Sequence, residues 1–156
     1  MTSDTSKGSV TDYLSSDHRR LDGLMQSCRE LVEKGVMNDA AGVFAEFRAG
    51  LKRHVKIEEG LVFPVFESST GLTRSAGPTG VMRHEHEEIL RLLDLIKDLF
   101  ESASPTPSEF SSLRSALAAL LQAHNDKEER ILYPMTDRAA SPEALRELVE
   151  KMKAFK

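Results

Sequence analysis

The sequence predicts an all-α protein, an up-down-up-down four-helix bundle with a short C-terminal fifth helix. Apolar residues recur at spacings of three and four along almost the whole chain, and no stretch shows the strict alternation of a β-strand. Capping and turn residues divide the chain into four long segments joined by modest loops, as expected for antiparallel neighbours. With 156 residues, 40% of them hydrophobic and 29% charged, the chain is long enough for one domain with a real core.

The first two helices form a predicted hairpin. Helix one spans about residues 11–34, and Gly35 follows it as a C-cap. Helix two begins near Asn38 or Asp39, since either residue is a good N-cap. We expect Pro64 to kink this helix or to end it within about a turn. The apolar stripe of helix two comprises Phe47, Leu51, His54, Ile57, Leu61 and Val65.

The second half of the chain repeats this plan after a loop over residues 68–80, which is rich in Ser, Thr, Gly and Pro. Helix three covers about residues 81–102. The run Thr106-Pro107-Ser108-Glu109 is a capping box with proline at the first helical position, so helix four begins there. Its apolar stripe comprises Leu113, Leu117, Leu120, His124, Ile131 and Met135.

Ser141-Pro142 opens the short fifth helix, which we expect to cover one end or flank of the bundle. The predicted organisation is therefore a flexible N-terminus over residues 1–10, a four-helix bundle over 11–138 and a C-terminal helix over 139–156 packed on the bundle.

Composition and charge exclude several classes of function. A net charge of -4 gives no basis for a nucleic-acid or anionic-membrane partner. The first ten residues are polar and no apolar run reaches membrane-spanning length, so we expect neither a secretory signal nor a membrane span. The single cysteine, Cys28, fits a small core residue in a reducing compartment. We therefore expect a cytoplasmic protein.

Two segments of the chain nearly repeat each other 70 residues apart. The segment that begins at His54 and the one that begins at His124 both read His-x-x-x-Glu-Glu-x-apolar-apolar-aromatic-Pro-apolar. Residues four apart share one face of a helix, so Glu58 stands beside His54 and Glu128 beside His124. Each segment therefore offers an imidazole and a carboxylate together, and two such pairs are what a two-metal site needs.

Two further histidines extend the repeat. His18 precedes His54 by 36 residues and His86 precedes His124 by 38 residues, so each predicted hairpin carries the same pattern. On a helical wheel each of these histidines lies within about 40° of apolar stripe residues, which places it inward. A single inward histidine is more often a hydrogen-bonded core residue, but four at equivalent positions on four helices favour a metal site. The candidate metal ligands are His18, His54, Glu58, His86, His124 and Glu128.

Neighbouring residues receive different interpretations. His84 lies two residues before His86 and so points elsewhere, and with Glu88 it is best explained as a solvated pair. For Asp22, four residues after His18, two roles stay open: it supports a metal ligand from outside, or it is itself an additional ligand. Because Leu90 stands at the equivalent position after His86, we expect two inequivalent metals, with the Leu90 side more open to a ligand.

The second glutamate of each repeat turns about 100° away from its inward neighbour. We expect Glu59 and Glu129 to lie at the surface or to hydrogen-bond a ligand imidazole. We assign structural roles to Tyr13 and Tyr133.

The arrangement His18, His54-x-x-x-Glu58, Glu85-His86 and His124-x-x-x-Glu128 resembles the hemerythrin-like HHE cation-binding domain, over about residues 10–138. Residues 77–87 are also similar to the C-terminal domain of repair-of-iron-centres di-iron proteins, and that similarity favours His86 over His84 as the ligand. The resemblance implies two iron ions with an oxo or hydroxo bridge, and Glu58 and Glu128 as bridging carboxylates. The donor types alone also accept manganese or zinc.

The same resemblance implies a protein that binds or reacts with a small oxidant (O2, peroxide or NO), in detoxification, iron-centre repair or sensing. One alternative is a metal- or oxygen-responsive regulatory or interaction module without turnover. Another is a structural zinc or mixed-metal bundle without redox chemistry. The sequence identifies no protein partner and does not distinguish an enzyme from a binding protein.

Overall fold

The computed structural model describes residues 8–73 and 77–156, and within these ranges every regular element is helical. The helices are α1 (Val10–Glu33), α2 (Met37–Ile57), α3 (Phe63–Thr70), α4 (Pro78–Glu101), α5 (Pro107–Lys127), α6 (Tyr133–Ala139) and α7 (Pro142–Ala154). A π-helical turn, Glu58–Val62, joins α2 to α3, and a second, Glu128–Leu132, joins α5 to α6. The bundle thus consists of α1, α2–α3, α4 and α5–α6, with α7 as the fifth helix, which confirms the predicted fold class.

Three of the predicted helix ends are confirmed, but the loop predicted over residues 68–80 is too long, because α3 runs to Thr70 and α4 begins at Pro78. Gly35, two residues after the end of α1, adopts a left-handed φ of 78°. The Thr106 and Ser141 side chains accept hydrogen bonds from the backbone of their helices' first turns. The predicted N-cap of α2 is wrong, because the helix begins at Met37. The left-handed turn reverses the chain so tightly that Val36 already takes the cap position, without a side-chain hydrogen bond.

Each π-helical turn precedes a proline and shifts the buried face of its helix by one residue. The Phe63 N–H bonds to the Glu58 carbonyl, five residues back, and Pro64 then lies in the first turn of α3, where no N–H donor is needed. The predicted kink or end at Pro64 therefore takes the form of this turn, and the helix continues to Thr70. Instead of Leu61 and Val65, the fully buried residues from the end of the turn onward are Val62, Phe63 and Phe66.

The same shift occurs in the other half of the bundle. Ile131, predicted to be inward, is 51% exposed, and Met135 is only partly buried. The buried residues from the end of this turn onward are Leu132, Tyr133 and Thr136. The stripe prediction was wrong beyond each turn because a wheel drawn at about 100° per residue does not allow for an inserted residue.

The core consists of two apolar clusters with a polar layer between them. One cluster is built around Phe44, Phe47, Leu93, Ile96 and Phe110, and the other around Leu14, Phe63, Phe66, Leu132 and Tyr133. Along each bundle helix the candidate ligands lie between members of the two clusters. The candidate site is therefore enclosed by apolar packing on both sides.

Helix α7 packs across one flank of the bundle. Its residues Leu148, Val149 and Met152 are buried in the second cluster. At the end of α7, the Arg53 guanidinium donates to the backbone carbonyls of Met152 and Phe155, which anchors the helix to α2. No helix within the described residues is both long and apolar enough to span a membrane.

Asp137 fastens the last bundle segment to the start of α1. Its carboxylate accepts hydrogen bonds from the N–H groups of Val10 and Thr11 and from the Thr11 hydroxyl. Because these N–H groups have no partner within the helix, we expect Asp137→Ala to lower the free energy of unfolding by about 1–2 kcal/mol. Denaturant unfolding measures this change, with Asp98→Ala at an exposed position of α4 as the control. A change for Asp137→Ala no larger than that of the control would contradict the capping role.

Candidate metal centre

The structure brings all six predicted ligands together in the polar layer. His18, His54, His86 and His124 project from α1, α2, α4 and α5, and each is at most 5% exposed. Glu58 and Glu128 are the first residues of the two π-helical turns and are completely buried. Four different helices therefore contribute, as the two-hairpin pattern predicts.

The six side chains form two groups that share both glutamates. One group contains His18 and His54 with the glutamates, the other His86 and His124 with the same glutamates, and in each group the four potential ligand atoms lie within 4.8 Å of one another. Histidine Nε2 atoms face the carboxylates, with separations of 3.0 Å from His86 to Glu58 and 3.1 Å from His124 to Glu128. The geometry is that of two adjacent groups of potential cation ligands that share both carboxylates.

Every one of the four imidazoles is oriented by a carboxylate at its other nitrogen. His18 Nδ1 lies 2.6 Å from Glu129 and His86 Nδ1 lies 2.6 Å from Glu59, which confirms that these glutamates hydrogen-bond the imidazoles. In this arrangement Nδ1–H donates to the carboxylate, and Nε2 is left to face the centre.

The two remaining orienting residues were not identified from the sequence. Asp17 accepts from His54 Nδ1 at 2.8 Å, and Glu85 accepts from His124 Nδ1 at 2.8 Å. Each comes directly before a candidate ligand, and Glu85 also pairs with Lys127. Both hairpins carry an acid directly before their first histidine. This repeated pair is the sequence signal that could have predicted residues that orient the imidazoles.

The electrostatic surroundings of the site are strongly negative. Burial lowers the pKa of His54, but the charge of Glu58 and the hydrogen bond with Asp17 outweigh it and raise the pKa to about 10. Burial likewise lowers the pKa of His86, while the adjacent carboxylates of Glu58 and Glu59 raise it to about 9. Burial raises the pKa of Glu58, but the positive His54 beside it lowers that pKa well below its usual range. Such a concentration of carboxylates favours cations in the centre.

Tyr133 is part of the site, which corrects the purely structural role predicted for it. Its hydroxyl lies 2.5 Å from Glu58 Oε2 and 2.9 Å from Glu128 Oε1, and 3.3 and 3.4 Å from Nε2 of His18 and His54. The π-helical turn causes this placement by rotating Tyr133 into the bundle.

The equivalent residue of the first repeat is Phe63, whose ring stacks on His86 at 5.8 Å and 9°. Tyr133 stacks on His18 at the same centroid distance. The two groups of potential ligands therefore differ, one having a phenol hydroxyl beside it and the other an apolar ring. The expectation of two inequivalent metals stays a prediction, and the difference seen here comes from Tyr133 and not from Asp22.

The residues present fit a metal. Glu58 Oε1, His86 Nε2 and Glu128 Oε2 are buried and, although His86 Nε2 lies 3.0 Å from Glu58 Oε1, none of the three atoms makes a hydrogen bond of acceptable geometry with a described residue. Leaving such groups unpaired costs about 1–3 kcal/mol each, which coordination would offset. Imidazole and carboxylate donors suit iron, manganese or zinc.

Two residues considered from the sequence are not in the centre. His84 is 76% exposed and its nearest acid is Glu87, at 3.9 Å, which agrees with a solvated side chain. Asp22 is exposed and belongs to neither group of ligand atoms found among the described residues.

Tyr133→Phe is expected to destabilise the metal-free protein and to retain metal. The buried glutamates lose their hydroxyl partner, so the free energy of unfolding without metal should fall by about 1–3 kcal/mol. The two histidines and two glutamates of that position remain, so metal content should not change. Calorimetry and metal analysis measure both quantities. Tyr13→Phe, which loses a single hydrogen bond to the Met152 carbonyl, is the matched control. Loss of metal in Tyr133→Phe would contradict this expectation.

The family model described as the hemerythrin HHE cation binding domain matches residues 9–136. The chain is 33% identical over 84 residues to the iron-sulfur cluster repair protein YtfE of Edwardsiella ictaluri, covering 54% of this chain and 38% of that protein. It is 32% identical over 81 residues to the protein of the same name in Dickeya chrysanthemi, covering 52% and 36%. The chain thus spans well under half of the length of these relatives, and no solved structure matches it.

Proposed function

The chain belongs to the hemerythrin HHE cation-binding family, and from that premise we propose that it holds two iron ions in the polar layer and binds or reacts with a small oxidant. The observation that carries this proposal is the pair of four-atom groups that share Glu58 and Glu128. Two shared carboxylates on four imidazoles are a donor set for two adjacent ions.

In this proposal the ligands are His18, His54, His86 and His124, with Glu58 and Glu128 as bridges. Six protein residues leave open positions on two five- or six-coordinate ions, which would supply redox chemistry toward O2, peroxide or NO when iron is bound. The names of the relatives, iron-sulfur cluster repair proteins, support iron over manganese or zinc.

The other residues prepare the site for that ligand set. Asp17, Glu59, Glu85 and Glu129 hold the four rings so that Nε2 faces the centre, and a fixed ring costs less entropy to bind. The apolar clusters on both sides keep bulk water away from the layer. The Tyr133 hydroxyl lies beside Nε2 of His18 and His54 and so takes up space on that side of the centre. We therefore propose that the oxidant binds on the opposite side, beside His86 and His124.

Anaerobic reconstitution with Fe(II), followed by exposure to O2, peroxide or NO, tests the proposal. We expect uptake of about two iron ions per chain and visible absorption bands after oxidation. Absence of iron uptake would refute the iron site. Iron uptake without any spectral change on exposure to all three oxidants would refute the reactivity.

A further inference from the structure

A cleft of about 360 Å³ opens on the bundle surface between α1, α2 and α5. Its inner wall is apolar, and Phe47 and Leu117 in that wall are almost completely buried. Its rim is polar and is formed mainly by charged side chains. We call the site the α1/α5 cleft, with an inner wall of Met25, Phe47, Leu117 and Leu121 and a rim that includes Asp22, Arg114 and Asp126.

The cleft begins about one helical turn from the candidate metal centre. Asp22 follows His18 by four residues on α1, and Leu121 precedes His124 by three residues on α5. Residues at these spacings lie on the same face of a helix, so two cleft residues border two candidate ligands. The cleft does not border Leu90, whose side of the centre we expected to be more open. Leu90 packs against the first apolar cluster.

The size of the cleft exceeds what a diatomic oxidant requires. A single water occupies about 30 Å³, roughly a tenth of this volume. Sites for small organic molecules usually measure about 300–1,000 Å³ and combine an apolar wall with a few polar groups. The α1/α5 cleft has both properties.

Charge at the rim selects against anions. The carboxylates of Asp22 and Asp126 outnumber the single guanidinium of Arg114, and the Asp22 side chain is exposed. An anionic ligand would meet a repulsive rim, whereas a hydroxyl or hydroperoxyl group can donate to the exposed Asp22 carboxylate.

We propose that the α1/α5 cleft binds a small uncharged organic molecule with an apolar body and one hydroxyl or hydroperoxyl group. This binding site is separate from the proposed iron pair, because none of the six candidate ligands lines the cleft. Contact of the apolar body with the partly exposed side chains of Met25 and Leu121 would hold the polar group at the rim beside Asp22.

Titration by NMR with two probes that share a tert-butyl group tests the cleft. With zinc-loaded protein, tert-butanol should cause saturable shifts in the methyl resonances of Met25, Leu117 and Leu121. Pivalate, which carries the same tert-butyl group on a carboxylate, should bind at least about tenfold more weakly. Absence of saturable shifts at these methyl groups, or equal binding of both probes, would overturn the proposal.

A pair of neighbouring tryptophan variants locates the binding. Ala118 is exposed and lines the cleft, whereas Ala119 is exposed and does not. The indole of Ala118→Trp should fill the mouth and abolish the tert-butanol shifts, and Ala119→Trp should retain them. Equal binding in both variants would place the probe outside the cleft. Because tert-butanol does not react with a metal, the same titration of the metal-free protein reports on the cleft even if the iron proposal fails.

Discussion

Replacement of Glu58 by alanine is expected to remove most of the bound metal. The Glu58 carboxylate belongs to both groups of ligand atoms, so both positions lose a donor at once. The remaining glutamate cannot neutralise two adjacent dications, and repulsion between them would expel at least one. Metal content should therefore fall from about two ions to less than about one per chain.

Elemental analysis after reconstitution measures the loss, with circular dichroism to show that the variant is folded. Glu128→Ala should behave in the same way, because Glu128 occupies the equivalent place in the second repeat. His84→Ala is the control, since this histidine is exposed and outside both groups. Full metal content in Glu58→Ala would contradict the bridging role.

Loss of the Asp17 carboxylate is expected to weaken metal binding without removing any ligand. Asp17 is 11% exposed and fixes His54 through a hydrogen bond of 2.8 Å. Burial raises the pKa of Asp17, but the hydrogen bonds with His54 and Arg20 lower it to about 2, so the group is charged at neutral pH. Removal of such an orienting partner typically costs about 10–100-fold in metal affinity.

Competition with a chelator measures this affinity for Asp17→Ala. Asp17→Asn keeps an acceptor oxygen without the charge and should recover part of the loss. Glu129→Gln should have a smaller effect, because the Glu129 side chain is 37% exposed and water can replace it. Asp98→Ala is again the control for removal of an acid. An affinity for Asp17→Ala equal to that of the control would show that His54 needs no orienting partner.

The six candidate ligands were predictable because their positions depend on helix periodicity and on the lengths of the two hairpins. His54 and Glu58 share a face wherever the chain is helical, and the second repeat supplied an independent copy of that pattern. The positions of His18 and His86 followed from the hairpin lengths. Burial of all six side chains in one polar layer is what this reasoning predicts.

The residues beyond each glutamate were not predictable in the same way. A π-helical turn inserts one residue, so Ile131 faces solvent and Tyr133 enters the site. The recurring proline, at Pro64 and Pro134, is the sequence signal of this turn, but proline also fits an ordinary kink or helix end. Only the packed structure distinguishes these outcomes.

The metal content of the freshly isolated protein, together with its visible spectrum, bears most directly on the proposed iron pair. We predict about two iron ions per chain and absorption bands that change on reduction. Zinc without iron, or less than about one ion of any metal per chain, would contradict a di-iron centre.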